Sequence, residues 1–316
     1  MRTRRRAVRA LVAGVAATAL LGPLAASISG SVSASASTTT STLSAAAIAR
    51  LAPQPRVISS ARLGFRPPKL VRPITIVVRN NMGDLKLLAS HDYRIVLPRG
   101  RAWVNAKGLS IAGGHNVVVV GGLVDVRAGY LASGKVTRRA AYIRNSTGTV
   151  FVEGVRFVSS AAGSLTEGID LSCPGAAVVL QNIALGSILA GSQSTNHADA
   201  IQSWAGPARL FIDGFTATTR YQGFFLLPQQ HSSSAVSATG WDFRRVFLRG
   251  IASGYLLWRD NGSYPIRTSQ VYVVGSPKQS SGMWPNRALW RFVKVGVPAR
   301  MFATTAGSRY LSPGYA

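Results

Sequence analysis

The chain has 316 residues, of which 36 are Lys or Arg and only 10 are Asp or Glu, so its formal net charge at pH 7 is +26. Hydrophobic residues make up 47% of the chain and charged residues 15%, which excludes a disordered acidic or lysine-rich tail protein. The 32 glycines predict many tight backbone corners. Any carboxylate chemistry must come from the ten acidic residues.

Residues 1–36 have the three parts of an export signal: five arginines, an apolar stretch over residues 10–26, and small residues ending in Ala34-Ser35-Ala36. A membrane anchor is the alternative, but two glycines and Pro23 interrupt the apolar stretch. We therefore expect a secreted protein, extracellular or cell-wall associated, with no stable membrane anchor after cleavage. Removal of five arginines and no acids lowers the charge from +26 to +21.

The rest of the chain divides into three parts. Residues 37–72 are rich in Ser, Thr, Ala and Pro, and we interpret them as a leader or an N-terminal cap. Residues 73–295 contain short β-branched runs separated by Gly, Asn, Ser and Pro, which predicts a β domain. Residues 296–316 are a C-terminal tail or cap. The single Cys173 cannot form an internal disulfide, and we expect it to be buried.

An internal repeat is the main structural signal in the β domain. Each unit has apolar residues at alternate positions, then Gly or Asn and another apolar residue, as expected for a strand with one buried face and a corner of positive φ. The units are Val118–Leu123, Val150–Val155, Val178–Ile183, Leu210–Phe215 and Val246–Ile251, with a weaker sixth at Val271–Gly275. A second strand aligns at Glu167–Asp170, Asp199–Gln202, Gln222–Phe225 and Ser253–Leu256.

Units of about 30 residues with two or three short strands leave no room for crossover helices. They predict an all-β parallel β-helix, a solenoid whose coils stack about 4.8 Å apart. The alternative is a β-sandwich or jelly roll, which also has short strands. Strands of such folds follow one another at spacings of roughly 8–12 residues. Nothing in a sandwich requires one motif to recur about every 30 residues, as it does here.

Three stretches resemble the right-handed parallel β-helix proteins of the pectate-lyase-like superfamily. Residues 93–126 are similar to the opening coils, Asn182 occupies the place of the asparagine turn, and Asn196–Gln202 is similar to the (His)-x-Asp-(Gly/Ala)-Ile-Gln stretch of many secreted bacterial members. The resemblance covers roughly residues 73–295. It implies a right-handed parallel β-helix that binds sugar in a groove along one face. It implies no single activity, because the superfamily includes lyases, hydrolases, esterases, epimerases and noncatalytic adhesins.

The candidate catalytic residues are His197, Asp199, Arg220 and Tyr221. A β-eliminating lyase needs a group that neutralises the uronate carboxylate, a base and an acid, and Arg220, His197 and Tyr221 could fill these roles in that order. The aligned strands also bring three acids together, Glu167, Asp170 and Asp199. Two of them could serve a hydrolase as acid and as base or nucleophile.

Close carboxylates either share a proton, which raises the pKa of one of them, or jointly hold a hard cation. Glu167, Asp170 and Asp199 are therefore a candidate Ca²⁺ site as well as a candidate acid group. The alternative is that Asp199 caps a turn and satisfies backbone groups. Simple alternation places Asp199 on the same side as the apolar Ile201, unless Asp199 lies at the bend before the strand.

We expect substrate contacts from Gln202, Trp204, Gln222 and Arg259. Aromatic residues recur on neighbouring coils at Trp204, Tyr221, Phe224, Phe225, Tyr255 and Trp258. Half of them are expected inside the solenoid, and the outward half could form platforms for sugar rings.

The net charge favours a polyanionic partner. In a secreted solenoid this indicates an acidic polysaccharide or a cell-wall glycan, whereas singly scattered arginines and the lack of a reading helix argue against nucleic acid. The leading hypothesis is a monomeric protein that binds an acidic glycan and cleaves it by β-elimination. A glycoside hydrolase of the same fold and a noncatalytic glycan-binding or cell-wall-binding protein are the alternatives.

Overall fold

The computed structural model is nearly all parallel β-sheet, and its described part contains one short 3-10 helix, Arg287–Leu289. No helix in that part is long and apolar enough to cross a membrane. The structure describes residues 62–132, 134–189, 197–231, 240–252, 254–260, 264–275, 282–300, 302–303 and 305–316. The export signal expected at residues 1–36 and most of the expected leader lie outside these ranges.

Two parallel sheets account for most of the strands. The ten-stranded sheet contains β1 (Ile74–Val77), β3 (Tyr93–Val96), β4 (Ala102–Val104), β6 (Val117–Asp125), β10 (Thr149–Val158), β12 (Ala177–Leu185), β14 (Arg209–Thr219), β16 (Trp241–Gly250), β18 (Ile266–Val274) and β20 (Val293–Val295). The eight-stranded sheet contains β2 (Leu85–Leu87), β5 (Leu109–Gly113), β9 (Arg139–Arg144), β11 (Glu167–Ser172), β13 (Ile201–Ala205), β15 (Phe224–Leu226), β17 (Leu257–Arg259) and β19 (Met283–Trp284). An antiparallel hairpin joins β7 (Tyr130–Ala132) to β8 (Lys135–Thr137).

The order of the strands defines a solenoid. From β9 to β20 the chain alternates between the two sheets, and each strand pairs with the strand one coil before it and one coil after it. The pairing is parallel throughout both sheets, whereas the strands of a β-sandwich are mostly antiparallel. The predicted parallel β-helix is therefore confirmed.

Each long strand from β10 to β18 contains one residue with positive φ near its middle, where a strand is expected to bend. These residues are Gly154, Asn182, Gly214, Arg245 and Gln270, with φ of 68°, 49°, 74°, 51° and 56°. The predicted corner at Asn182 is thus present. Gly154 is also required sterically, because a Cβ atom there would lie 2.1 Å from the ring of Tyr310.

Several of the predicted repeat units are in the wrong register. Val150 pairs with Val117 rather than Val118, and Phe215 pairs with Val246, so the unit that follows Leu210–Phe215 begins five residues before the predicted Val246. The same shift applies to the sixth unit, because Val246 pairs with Val271. The predicted segment Ser253–Leu256, whose first residue lies outside the described ranges, is also displaced, since Phe224 pairs with Leu257.

The inward side chains of both sheets form one continuous apolar core. Phe224 lies between Phe215 and Phe243, with ring centroids 5.4 Å from each. Cys173 is fully buried in this core, as predicted, and burial raises the pKa of its thiol to about 12. It is therefore a packing residue and not a reactive thiol.

The two terminal segments of the described chain lie together on the outer face of the ten-stranded sheet. Leu63 pairs with Tyr315, and Phe65 and Tyr315 pack against Phe151. Beneath them the fully buried Glu153 accepts hydrogen bonds from the hydroxyls of Tyr310 and Tyr315, at 2.8 and 2.9 Å. This acid therefore has a structural role.

Candidate functional site

The outer face of the eight-stranded sheet stacks equivalent side chains into columns, because its strands are parallel and in register. One of them, the central column, consists of Ser110, Tyr142, Asp170, Gln202, Phe225, Trp258 and Trp284. Its last three members are aromatic. With about 4.8 Å between strands, the four steps from Asp170 to Trp284 extend about 19 Å.

A second column, the turn column, lies three residues earlier in each coil, where the chain turns into the strand. Arg139 pairs with Glu167 there, and the N–H of Gly168 donates to the carbonyl oxygen of Asp199 at 2.8 Å. Asp199 precedes β13, and the chain bends at Ala200. Because of this bend, the side chain of Asp199 does not follow Ile201 into the apolar core.

Arg139 joins two of the three predicted acids. Its Nη2 atom lies 2.5 Å from Glu167 Oε2, and its guanidinium also forms an ion pair with Asp170. The Nη1 atom donates to the hydroxyl of Tyr130, in the β7–β8 hairpin, at 2.9 Å. Burial by itself lowers the pKa of Arg139, but Asp170 and Glu167 outweigh it and raise that pKa. The guanidinium therefore stays charged and holds the two carboxylates in place.

Asp170 and Asp199 are nearly inaccessible, with exposed fractions of 2% and 1%. Burial raises the pKa of Asp170 well above its ordinary value; Arg139 opposes this rise and Glu167 adds to it. Burial also raises the pKa of Asp199 well above its ordinary value, and the charges of Asp170 and Glu167 raise it further. Neither carboxylate oxygen of Asp199 has a hydrogen-bond partner of normal geometry in the structure. The surroundings of Asp199 thus favour its protonated form, as a general acid requires.

His197 lies between Asp199 and the solvent. Its Nδ1 atom is 3.8 Å from Asp199 Oδ2, and its side chain is 42% exposed. The ring contacts Tyr221 and Phe225, with centroid distances of 5.5 and 6.2 Å. His197, Asp199 and Tyr221 are therefore brought together as predicted. Asn196, the first residue of the stretch that carries the resemblance, lies outside the described residues.

Aromatic side chains continue this surface toward the C-terminal end of the solenoid. Phe225 stacks on Trp258 with a centroid distance of 4.5 Å, and Tyr255 contacts Trp284 at 5.4 Å. Trp204 contacts Tyr142 at 5.9 Å, on the other side of Asp170. The expected equal division of the aromatics is wrong: of the six, only Phe224 is fully buried, and Phe225, its neighbour in the strand, lies on the outer face. We call the outer surface formed by the two columns, together with His197, Trp204 and Tyr221, the acid–aromatic face.

Not all of the expected substrate-binding residues lie on this face in the same way. Gln202 is a half-buried member of the central column, next to Asp170, and Gln222 is a buried member of the turn column. Arg259 does not join the face: it pairs with the buried Leu226, is only 5% exposed, and its guanidinium lies 4.3 Å from the ring centroid of Tyr264.

Arg220, expected to neutralise a substrate carboxylate, is exposed at the end of β14. Its backbone N–H donates to the carbonyl oxygen of Ile188 at 3.0 Å. Among the described residues, no ion pair joins Arg220 to Glu167, Asp170 or Asp199. Arg220 therefore lies next to the site as the chain neighbour of Tyr221, and it is not paired with any of the three acids.

The three acids do not fit the predicted Ca²⁺ site. No three Asp, Glu, His or Cys side chains in the described part of the chain are arranged to hold a metal ion, and Glu167, Asp170 and Asp199 are among those tested. The guanidinium of Arg139 already provides the positive charge between Glu167 and Asp170. We therefore derive no step that involves a metal.

Sequence reasoning missed the charged groups that complete the first half of the face. Arg139 is the most important of them, and the others are Lys107 and Arg144, which lie 2.8 and 3.5 Å from Asp84. A signal for Arg139 was present: Arg139-Ala140-Ala141-Tyr142 aligns with Glu167-Gly168-Ile169-Asp170 one coil later. Extending the alignment of the second strand backward by one coil would have found it.

A separate cavity of about 430 Å³ lies on the ten-stranded sheet, under the C-terminal tail. Arg94, Val96, Val120 and Tyr310 are among its lining residues. No acidic side chain lines it, so it offers no acid–base pair. The acid–aromatic face is the better candidate for catalysis, because it combines carboxylates of raised pKa with exposed aromatic rings.

The chain matches no protein-family model, no curated protein and no solved structure at a significant level.

Proposed function

We propose that the protein is a secreted, glycan-binding β-helix protein of the pectate-lyase-like kind, and that it hydrolyses its glycan on the acid–aromatic face. The observation that carries this proposal is the state of Asp199: a buried carboxyl of raised pKa beside Glu167 and Asp170, which accepts no hydrogen bond of normal geometry and whose pKa the backbone N–H of Gln222 lowers only in part. An unsatisfied buried carboxyl lowers stability, so a role in the native protein is the simplest reason for it. Secretion rests on the export-signal pattern of residues 1–36.

In this mechanism Asp199 is the general acid. Its proton passes to the leaving glycosidic oxygen while the bond from that oxygen to the anomeric carbon breaks. Glu167, whose side chain is 12% exposed against 2% and 1% for Asp170 and Asp199, accepts a proton from the attacking water. The water oxygen forms the new bond to the anomeric carbon. Glu167 then releases its proton to the solvent, and His197, at the solvent side of Asp199, passes a proton from the solvent to Asp199, which restores both carboxyl groups for the next turnover.

Arg139 and Asp170 support Glu167 in this mechanism. The two-pronged contact with Arg139 fixes the position of the Glu167 carboxylate, as a base requires. Asp170, on the other side of the guanidinium, adds negative charge that favours the protonated form of Asp199. The proposed base and acid thus differ in their neighbours, since Glu167 contacts a guanidinium and Asp199 is buried beside two carboxyl groups.

A β-elimination of an acidic glycan is the second candidate. The net charge of +26 and the contact between the exposed His197 and Tyr221 favour it. It has weaker support than hydrolysis because the two cations that might neutralise a uronate carboxylate are poorly placed. Arg220 lies outside the acid group, and Arg139 is already paired with Glu167 and Asp170.

The test is a screen of the purified mature protein against neutral and acidic glycans. New reducing ends and the ultraviolet absorbance of unsaturated uronates are measured separately. Hydrolysis predicts reducing ends without unsaturation, and unsaturated products would instead establish the lyase. Binding without either product would favour the noncatalytic alternative.

The role of Asp199 is tested with Asp199→Asn, which keeps the shape of the side chain and removes its acid. We expect a loss of activity of about 10²- to 10⁴-fold, the usual contribution of general acid–base catalysis. The matched control is Asp242→Asn, in β16 on the other sheet, where the carboxylate pairs with Arg244. Equal activity of the two variants, both shown to be folded by thermal melting, would rule out Asp199 as the acid.

A further inference from the structure

The excess positive charge of the chain is unevenly distributed, and the acid–aromatic face receives little of it. Three cations in the first half of the face each lie beside an acid, and a further one, the exposed Lys86, lies on β2 at the N-terminal end of the same sheet. Lys107 and Arg144 lie 2.8 and 3.5 Å from Asp84, and Arg139 pairs with Glu167 and Asp170. Since the proposed mechanism keeps a proton on Asp199, the three paired cations are matched by Asp84, Glu167 and Asp170.

The paired cations are also covered by aromatic contacts. The guanidinium groups of Arg139 and Arg144 lie 4.9 and 4.7 Å from the ring centroid of Tyr142. Lys107 lies 5.8 Å from the ring centroid of Tyr130. Each cation thus has both an acid and a ring as neighbours, which leaves it little capacity to bind a substrate carboxylate.

The second half of the face is uncharged. Its central column continues as Gln202, Phe225, Trp258 and Trp284, and Tyr255 contacts the last of these. Aromatic rings of this kind bind the apolar faces of sugar rings and give no preference for a negative charge. A chain that follows this column meets amide and aromatic side chains only.

The sequence of the connecting segments supports the same conclusion. The segments between strands of the two sheets in this half are residues 186–200, 206–208, 220–223, 227–240, 251–256, 260–265, 275–282 and 285–292. Their Asp, Glu, Lys and Arg residues are Asp199, Arg220, Asp260, Lys278, Arg287 and Arg291. In a chain with 36 basic residues, this is a small share. Most basic residues of this half, such as Arg209 and Arg267, belong instead to strands of the ten-stranded sheet.

We infer that the acid–aromatic face takes an uncharged glycan, although the net charge of the whole chain indicates a polyanion. This inference rests on the proposed function and specifies its substrate class. A uronate polymer would place one carboxylate per sugar over a surface whose paired cations are already matched by acids in one half and whose central column carries no charge in the other. Such a contact is unfavourable, and it would discriminate against acidic glycans.

The test measures binding by the Asp199→Asn variant, so that no ligand is consumed. Calorimetric titrations use neutral hexasaccharides from glucan, xylan and galactan, and acidic hexasaccharides from polygalacturonate and alginate. Trp258→Ala and Trp284→Ala are added in the same background; Trp284 is 41% exposed, so its removal disturbs the fold little. Phe292→Ala is the matched control, because Phe292 is 78% exposed and lies outside the face.

We expect one of the neutral hexasaccharides to bind, with an affinity reduced about tenfold or more by each tryptophan substitution and unchanged by Phe292→Ala. Arg220→Gln and a rise in ionic strength should have no effect on this binding. An acidic hexasaccharide whose binding falls in the tryptophan variants would overturn the inference and leave the proposed function intact. If no hexasaccharide of either class shows tryptophan-dependent binding, the proposed function itself fails.

Discussion

Asp92 and Asp199 are both buried aspartates of the same solenoid, with exposed fractions of 6% and 1%, but their surroundings differ. Asp92 accepts hydrogen bonds from the backbone N–H groups of Val71 and Asn116 and from the side-chain amide of Asn116, at 2.7 to 3.1 Å. Asp199 accepts none of normal geometry in the structure. Burial alone therefore does not determine the properties of a carboxylate; the donors around it do.

The pKa values of the two residues follow this difference. Burial by itself raises the pKa of Asp92, but the hydrogen bonds from Val71, Asn116 and His115 outweigh it and lower that pKa. For Asp199, burial and the charges of Asp170 and Glu167 act in the same direction and raise its pKa. Asp92 thus joins the first coil to the second, whereas the surroundings of Asp199 favour its protonated form. The comparison separates a structural acid from a candidate catalytic one.

The largest stability effect is expected at Arg139, the buried cation that pairs with two of the acids. Arg139→Leu removes the partner of Glu167 and Asp170, and breaking a buried ion pair in this way costs about 3–5 kcal/mol. Urea unfolding at pH 7 measures it. The loss should be smaller at pH 4, because the pKa of Asp170 is raised by burial and this carboxyl can then take up a proton in the folded variant.

Arg127→Leu is the control for this substitution. Arg127 pairs with Asp125 at 2.7 Å, but its side chain is 54% exposed, so we expect a loss of less than about 1 kcal/mol. Similar losses for the two variants would show that Arg139 is an ordinary surface residue and not the organiser of the acid group.

A smaller loss is expected for Asp92→Asn. An amide in place of the carboxylate disrupts the hydrogen bonds from Val71 and Asn116, at a cost of about 1–3 kcal/mol at pH 7. Because the pKa of Asp92 is lowered in the folded chain, its contribution is present above the ordinary value of 3.8 and is lost as the pH falls below it. Urea unfolding of both proteins at pH 7 and pH 3 should show the difference shrinking. A constant difference would mean that the charge of Asp92 is unimportant.

Much of the fold could be predicted from the sequence, because glycine and asparagine mark the corners where the coil must take a positive φ. The prediction of register fails where Arg245 and Gln270 occupy that corner instead. These residues have no special conformational preference that a sequence pattern reveals. A pattern that requires Gly or Asn at the corner therefore selects the next suitable glycine, Gly250, and this displaces the later predicted units by five residues.

The candidate site was predictable where it followed strand alignment and not where it depended on long side chains. The alignment of Glu167 with Asp199 is enough to bring the acids together. It cannot indicate that the guanidinium of Arg139 reaches Glu167 and Asp170, or that Arg259 turns inward toward Tyr264. An inward arginine is uncommon, so a charged residue at the end of a strand is normally expected outside.

The smallest effect is the sharpest test of the comparison, because its sign is opposite to that of Asp92→Asn. Asp199 has a raised pKa in the folded chain, so between the ordinary value of 3.8 and that raised pKa the folded state binds more protons than the unfolded state. Stability therefore falls as the pH rises through this range. Asp199→Asn removes the titration, and we expect it to stabilise the protein at pH 8 by about 1.4 kcal/mol for each pH unit by which folding raises the pKa of Asp199.

The gain should vanish below about pH 3, under the ordinary value of 3.8, where the wild-type carboxyl is largely protonated in both states. Thermal melting across this pH range, with Asp125→Asn as the control, measures the effect. Asp125 is hydrogen-bonded by Ser160 and Arg127, so its substitution should destabilise the protein at pH 8. If Asp199→Asn lowers stability at every pH, the carboxyl has a structural partner and the distinction from Asp92 is lost. A variant that gains stability while losing activity would instead show that the strain at Asp199 is kept for catalysis.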